Sequence, residues 1–365
     1  MQRRSFLAAP LAAYQLAAAE TEKRIYAFGD GIPHTPAEYS QLLSTLAKKG
    51  GLEPDDYSRG GAVEQLESRM ATLLGKETAV WLPTGTLANH LAVRLLAGER
   101  RRVLVQAESH LMNDCGDCAD TLSGLHLVPL APGRATFTLE EVERAAYESS
   151  TGRVATPIGA IQIESPVRRR QGERFDFQEM KKIAAWARAH KAGLHLDGAR
   201  LFLECAYAAR PVKEYAALFD TVYISMYKYF NAASGAVLAG PRSLLENLFH
   251  PRRMFGNGLC HVWPFAAVAL HFFEGFPERY AQAVATSERV IAALQSDSRF
   301  EVTRVPNGTN IFFLRVKGAS AQAFQRRAQS AGFILPAPDN DRFTVQVNET
   351  WARVNSREIL TRLAS

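Results

Sequence analysis

The segment Leu194-His195-Leu196-Asp197-Gly198-Ala199-Arg200-Leu201-Phe202 and the later run Thr221-Val222-Tyr223-Ile224-Ser225-Met226-Tyr227-Lys228 decide the fold. Each opens on a short apolar stretch of strand length, and each ends on a side chain that can do chemistry, Asp197 and Lys228. Outward from them the same alternation continues. Apolar runs at 79–82, 103–106, 126–130, 158–163 and 236–239 read as further strands. Helical patterns lie between them: one runs from Gly85 to about Leu96, one opens on the capping box Thr138-x-x-Glu141, and one follows Asp176 as N-cap to His190. Strand and helix in alternation predict an α/β domain built on a mainly parallel, helix-covered sheet.

The flanks read differently. Thr35-Pro36-Ala37-Glu38 opens a helix to about Lys48, and 62–74 is an amphipathic helix stopped by Gly75. Beyond the sheet, helices near 264–273, 278–294 and 321–331 alternate with strands at 311–316 and 343–347, a smaller α+β C-terminal domain. The expected organisation is an N-terminal segment at 20–60, a large domain at 61–275 and a small one at 276–365. Residues 1–19 stand apart: Arg3-Arg4-Ser5-Phe6-Leu7, an apolar stretch and Ala17-Ala18-Ala19 have the order of a cleaved export signal. The paired arginines resemble a twin-arginine signal, which implies a periplasmic protein, or a cytoplasmic one where the signal does not act. That stretch is too short for a stable membrane span.

Composition excludes several classes. With 47% hydrophobic and 22% charged residues the 365-residue chain is neither disordered nor a membrane protein. A net charge of +6, with no recognition motif, does not point to nucleic acid, and the basic run Arg168-Arg169-Arg170 reads as a solvated loop. Of four cysteines, Cys115 and Cys118 form a C-x-x-C with only His110 near in sequence, so no metal is expected and a structural or redox-labile pair is the better reading. No G-x-G-x-x-G opens the first strand–helix unit, which disfavours a nicotinamide enzyme.

Ligands of open parallel sheets sit beyond the carboxyl ends of the strands. Three segments fall there. In Leu82-Pro83-Thr84-Gly85-Thr86 a glycine, a hydroxyl and a helix N-terminus make a phosphate site in outline, although the same residues serve as ordinary turn and cap. Asp197 could pair with a cationic ring nitrogen, or merely with Arg200 across the turn. Lys228 could form a Schiff base with an aldehyde cofactor, or stand solvated at a strand edge.

These segments resemble the threonine aldolase and β-eliminating lyase family. Leu82-Pro83-Thr84-Gly85-Thr86-Leu87-Ala88-Asn89 is similar to its phosphate turn, and 195–202 to its cofactor-ring segment. Asp55-Asp56-Tyr57, Gly75-Lys76-Glu77 and Arg252-Arg253-Met254 with Gly256 and Gly258 fall in family order, so the likeness runs from about Phe28 to Leu335. The resemblance implies the aspartate-aminotransferase-like fold, pyridoxal 5′-phosphate (PLP) as cofactor, a homodimer or homotetramer, and cleavage of a β-hydroxy-α-amino acid to glycine and an aldehyde. By position, Lys228 would carry the cofactor, Asp197 pair with its ring nitrogen, Gly85 and Thr86 hold its phosphate, and His110 stack on its ring. Arg200 would lie near the cofactor's phenolic oxygen or the substrate carboxylate, with Tyr57 and Arg342 also on the substrate side.

The chain departs from the family around that frame. Tyr227 and Tyr229 flank the lysine where serine and glycine are usual, and Phe230-Asn231-Ala232-Ala233 replaces a glycine-rich loop. Phe28-Gly29-Asp30 stands for Arg-Ser-Asp, Gly258-Leu259-Cys260-His261 for Gly-Met-Arg-Gln, and Glu164-Ser165-Pro166-Val167 for Glu-Asn-Thr-His. Two other readings stay open: a PLP lyase that eliminates from another amino acid, and a PLP-binding homologue without turnover. The N-terminal pattern yields the first prediction. Mass spectrometry of the protein from its native cell should find a mature chain that starts near Glu20; an intact Met1 or Gln2 terminus in the cytoplasmic fraction would count against export.

Overall fold

The computed structural model describes residues 23–364, so the Arg3-Arg4 run and the apolar stretch after it lie outside the described residues. The described residues divide into two compact units: the larger holds 34–276 and 305–309, and the smaller holds 23–33, 277–304 and 310–364. Among the described residues no helix is long and apolar enough to cross a membrane.

In chain order the strands are β1 (Ile25–Tyr26), β2 (Thr78–Leu82), β3 (Arg102–Gln106), β4 (His126–Leu130), β5 (Ile158–Glu164), β6 (Gly193–Asp197), β7 (Thr221–Ser225) and β8 (Ala236–Gly240). After them come β9 (Phe300–Arg304), β10 (Ile311–Val316), β11 (Phe333–Ile334) and β12 (Arg342–Gln346). The larger unit carries one seven-stranded sheet in the order β2-β8-β7-β6-β5-β3-β4. Its pairs are parallel except those of β8, which runs antiparallel to both β2 and β7. The reason is the connection. Only residues 226–235 separate β7 from β8, too few for a helical crossover, so the chain folds straight back.

Strands β5 and β7 are buried at every position, as both-face coverage of a parallel sheet requires. The helix Gly85–Ala97 lies across this sheet and buries Leu87, Ala88, Asn89, His90, Leu91, Ala92 and Val93. Its N-cap Thr84 accepts the Leu87 N–H, and Gly98 ends it with φ 54°. The capping boxes at Thr35 and Thr138 both form, and Asp176 accepts the N–H groups of Gln178 and Glu179.

The smaller unit is not only C-terminal. β1 pairs in parallel with β11, and Asn348 donates to the carbonyls of Tyr26, Phe28 and Gly29. The residues just before Pro33 thereby complete this unit rather than forming a separate segment. Its other sheet is antiparallel, β12-β10-β9; β9 is a half-exposed strand whose short Phe300-Glu301-Val302-Thr303-Arg304 pattern is too polar to read in advance.

Close packing within the sheet gives a second prediction. At Gly159 on β5 a Cβ would fall on the Arg100 carbonyl oxygen, with the Ala97 backbone 2.9 Å away. Backbone cannot step aside as a flexible side chain can. Gly159→Ala should lower the unfolding free energy by about 1–3 kcal/mol in a denaturant titration, and an unchanged midpoint would refute that packing.

Candidate active site

The carboxyl ends of β5, β6 and β7 meet at one pocket, lined by His110, Glu164, Arg168, Asp197, Ala199, Arg200, Tyr223, Tyr227 and Lys228. Four residues named from sequence, His110, Asp197, Arg200 and Lys228, are therefore brought together.

Asp197 is the last residue of β6 and is 1% exposed. Asn89 Nδ2 donates to its Oδ2 at 2.6 Å, and the Ala199 N–H donates to Oδ1 at 3.1 Å. The turn after it closes through Gly198 N–H on the Tyr223 carbonyl. Asn89 and the backbone of the turn are two of this carboxylate's partners.

Lys228 is half-buried on the loop after β7, and its ammonium lies 5.5 Å from the Tyr227 ring centre. The aromatic residues around it have a physical purpose. Tyr229 and Phe230 are fully buried; Phe230 packs edge-on with Tyr229, Phe202, Phe273 and Phe276, and Tyr229 lies tilted against Phe202 and Phe276. They wedge the loop into the core, while Ala232 N–H on the Met226 carbonyl closes it and Asn231 takes the left-handed turn at φ 55°. Anchoring by two buried rings does here what a tight glycine-rich loop would do by backbone geometry alone.

His110 begins the short helix His110–Asn113, capped by the Ser109 hydroxyl. A hydrogen bond with the Cys115 thiol raises its pKa; burial opposes this, and the Asp197 charge adds to it. Its Nδ1 lies 3.4 Å from Asp114, which Arg168 and Arg169 also reach at 3.0 and 3.3 Å. The run Arg168–Arg170, expected as a solvated loop, is a short 3-10 turn with its first residue against the pocket. Cys115 and Cys118 are free thiols, and the Cys115 Sγ approaches the Thr86 hydroxyl at 3.7 Å.

Glu164 is a site residue that the sequence reading passed over except as part of a departure. Its carboxylate accepts the His110 N–H at 2.6 Å and the Arg168 N–H at 2.9 Å, so it fixes both residues from the end of β5. Burial, with the nearby Asp197 charge, pushes its pKa up to about 7. The available signal was its position, an acidic residue at a strand end like Asp197.

Gly85 and Thr86 open the Gly85–Ala97 helix, where the first N–H groups have no intrahelical acceptor. Gly85 is required for a reason other than ligand approach, since its Cβ would strike the Tyr223 hydroxyl. Tyr57, at φ 49° and 37% exposed, lies outside the pocket lining, with the Arg253 guanidinium 4.8 Å from its ring centre. Buried Arg252 holds that stretch through the carbonyls of Tyr57, Ser58 and Trp81, and Asp55 accepts the N–H groups of Ser58, Val262 and Trp263. Arg342 belongs to the smaller unit, where it opens β12 with its guanidinium 4.3 Å over the Phe313 ring.

The donor set fits PLP. A buried carboxylate, a primary amine, an imidazole and a 13-residue helix with its N-terminal N–H groups are the complements of a ring nitrogen, an aldehyde, an aromatic face and a phosphate.

Comparison with known proteins agrees with this geometry. The family model for the beta-eliminating lyases matches residues 47–317. An aldolase, vrtJ, from Penicillium aethiopicum is 30% identical over 63% of this chain and 58% of its own length. The alanine racemase TOXG from Cochliobolus carbonum is 28% identical over 65% and 60%. The chain thus spans less than two thirds of these relatives' length. Among solved structures, a candidate L-allo-threonine aldolase from Listeria monocytogenes superposes with a TM-score of 0.76 at 25% identity, covering 95% of this chain and 96% of that one. The fold is that of these enzymes, and the chain belongs to the beta-eliminating lyase family.

Proposed function

We propose that this protein binds PLP through Lys228 and cleaves a β-hydroxy-α-amino acid to glycine and an aldehyde by retro-aldol chemistry. The observation that carries the reading is the convergence of Asp197, Lys228 and His110 on one pocket at the carboxyl ends of β5–β7. Relatives named as aldolases support it.

When bound, PLP supplies an electron-accepting ring conjugated to the substrate's nitrogen. Each residue then has a separate task. Asp197 would hold the proton of the ring nitrogen, its carboxylate fixed by Asn89 and the Ala199 N–H. Lys228 would hold the cofactor at its aldehyde carbon, with its amine beside the reacting carbon. Gly85 and Thr86 take the phosphate on backbone N–H groups and the Thr86 hydroxyl. His110, held by Glu164 at its backbone N–H and by Asp114 at its ring, would pack on the cofactor ring, and it or a bound water would take the β-hydroxyl proton. Arg200, at the pocket, holds the substrate carboxylate or the phenolic oxygen. Tyr57 would complete the substrate side from the neighbouring subunit of a homodimer or homotetramer. Export to the periplasm by the Arg3-Arg4 signal remains part of the same proposal.

Asp197 tests this reading most sharply. Asn keeps the shape and a hydrogen bond but loses the charge. Asp197→Asn should fold and retain cofactor, yet lose turnover by at least about a hundredfold, about 3 kcal/mol of barrier. Full activity of the loaded variant would remove Asp197 from the chemistry. With threonine-like substrates the wild type should release glycine and aldehyde in equal amounts. Ammonia and a keto acid would instead establish elimination, and no product from any of them would leave a binding role.

A further inference from the structure

Behind Asp197 lies a chain of polar side chains that the proposed chemistry does not itself use. Asn89 and His195 are both 0% exposed, as is Thr221. His195 and Asp197 are two residues apart on β6 and so share one face of the sheet. Thr221 is the cross-strand partner of His195 on β7, and Asn89 reaches the same face from the Gly85–Ala97 helix. Asn89 Oδ1 lies 2.8 Å from His195 Nε2, and His195 Nδ1 lies 2.8 Å from the Thr221 hydroxyl.

The direction of every link follows from its chemistry. A carboxylate only accepts, so the Asn89 amide must turn its NH2 to Asp197. Its carbonyl oxygen then faces His195 and can only accept, which places the imidazole proton on Nε2. Nδ1 is left with a lone pair, so the Thr221 hydroxyl donates to it. Burial pushes His195 down to about 4, against the Asp197 charge and a backbone hydrogen bond at Thr221, which keeps the ring neutral at neutral pH. Buried polar groups that are all satisfied in one direction rigidify what they touch.

We propose that Thr221, His195 and Asn89 form a one-way hydrogen-bond relay that positions the Asp197 carboxylate for the ring nitrogen of the cofactor. They are positioning residues and touch no reacting atom. The proposal rests on the reading that Asp197 faces the cofactor. It adds a coupling: Asn89 sits one helical turn beyond Gly85 and Thr86, so one rigid helix sets both the phosphate end and the ring-nitrogen end of the site.

Three substitutions separate the relay from plain core packing. His195→Phe keeps an aromatic ring but breaks both links. His195→Gln restores one donor toward Asn89 and one acceptor toward Thr221. Asn89→Ala removes the donor to Asp197 directly. In the loaded protein, the pH midpoint of the cofactor's visible band should move by about half a unit or more in His195→Phe and Asn89→Ala, with turnover down about tenfold, the effect of one hydrogen bond of about 1.4 kcal/mol. His195→Gln should lie near wild type in both. Should His195→Phe not fold, the Asn89→Ala and His195→Gln pair carries the same comparison. Equal behaviour of the disruptive and conservative variants would overturn the relay.

A readout independent of the cofactor is the imidazole nitrogen NMR signal of His195, assigned by its loss in His195→Gln. It should report a neutral, Nε2-protonated ring from pH 5 to 8 with or without PLP; titration within that range, or the Nδ1–H tautomer, would refute the relay. Absence of any cofactor band in wild-type protein would instead refute the PLP reading and leave the NMR result to judge the relay.

Discussion

Burial of the Asp197 carboxylate at the end of a central strand is the constraint around which this molecule is built. A charge taken out of water must be met by donors, or folding is penalised by several kcal/mol. Here the donors are Asn89, held by a helix laid across the sheet, and the backbone of the turn that leaves β6. Both demand the α/β architecture: a strand to deliver the carboxylate, a covering helix to answer it, and a sharp turn after it. The Asp197 carboxylate lines the pocket at that strand end.

The same logic explains how the neighbouring strands contribute. β5 delivers a second buried acid, Glu164, whose oxygens are occupied by the N–H groups of His110 and Arg168. It thereby organises the loops above β3 and β5 rather than meeting a ligand charge itself. β7 delivers Lys228 on a loop pinned by Tyr229 and Phe230. Three adjacent strand ends thus supply an acid that lines the pocket, an acid that organises its loops and an amine, each fixed by a different device.

Much of this was legible in the sequence. The strand–helix alternation, the capping boxes at Thr35 and Thr138, and the placement of Asp197 and Lys228 just past apolar runs all depend on local patterns, which sequence displays directly. The parts that escaped depend on distant contacts. Nothing local in Phe300–Arg304 announces a strand, because its pairing with β10 supplies the reason to form one. Likewise Ile25–Tyr26 becomes a strand only because β11 is there to receive it. Tyr229 and Phe230 read as departures from a family pattern until the buried rings of Phe202 and Phe276 show what they pack against. Asn89 and His195 lay inside quoted motifs, yet their roles require the helix and two strands to be in place.

The central claim is that the amine at the end of β7, and no other, carries the cofactor. Its most direct test is borohydride reduction of the purified protein after incubation with PLP, followed by peptide mapping. The larger unit offers a competitor in Lys76, a half-buried lysine whose pKa burial lowers and whose ammonium instead donates to the Phe219 carbonyl. The account predicts a single pyridoxyl adduct on Lys228, absent from Lys228→Ala. An adduct on Lys76 or any other lysine, with Lys228 unmodified, would contradict it.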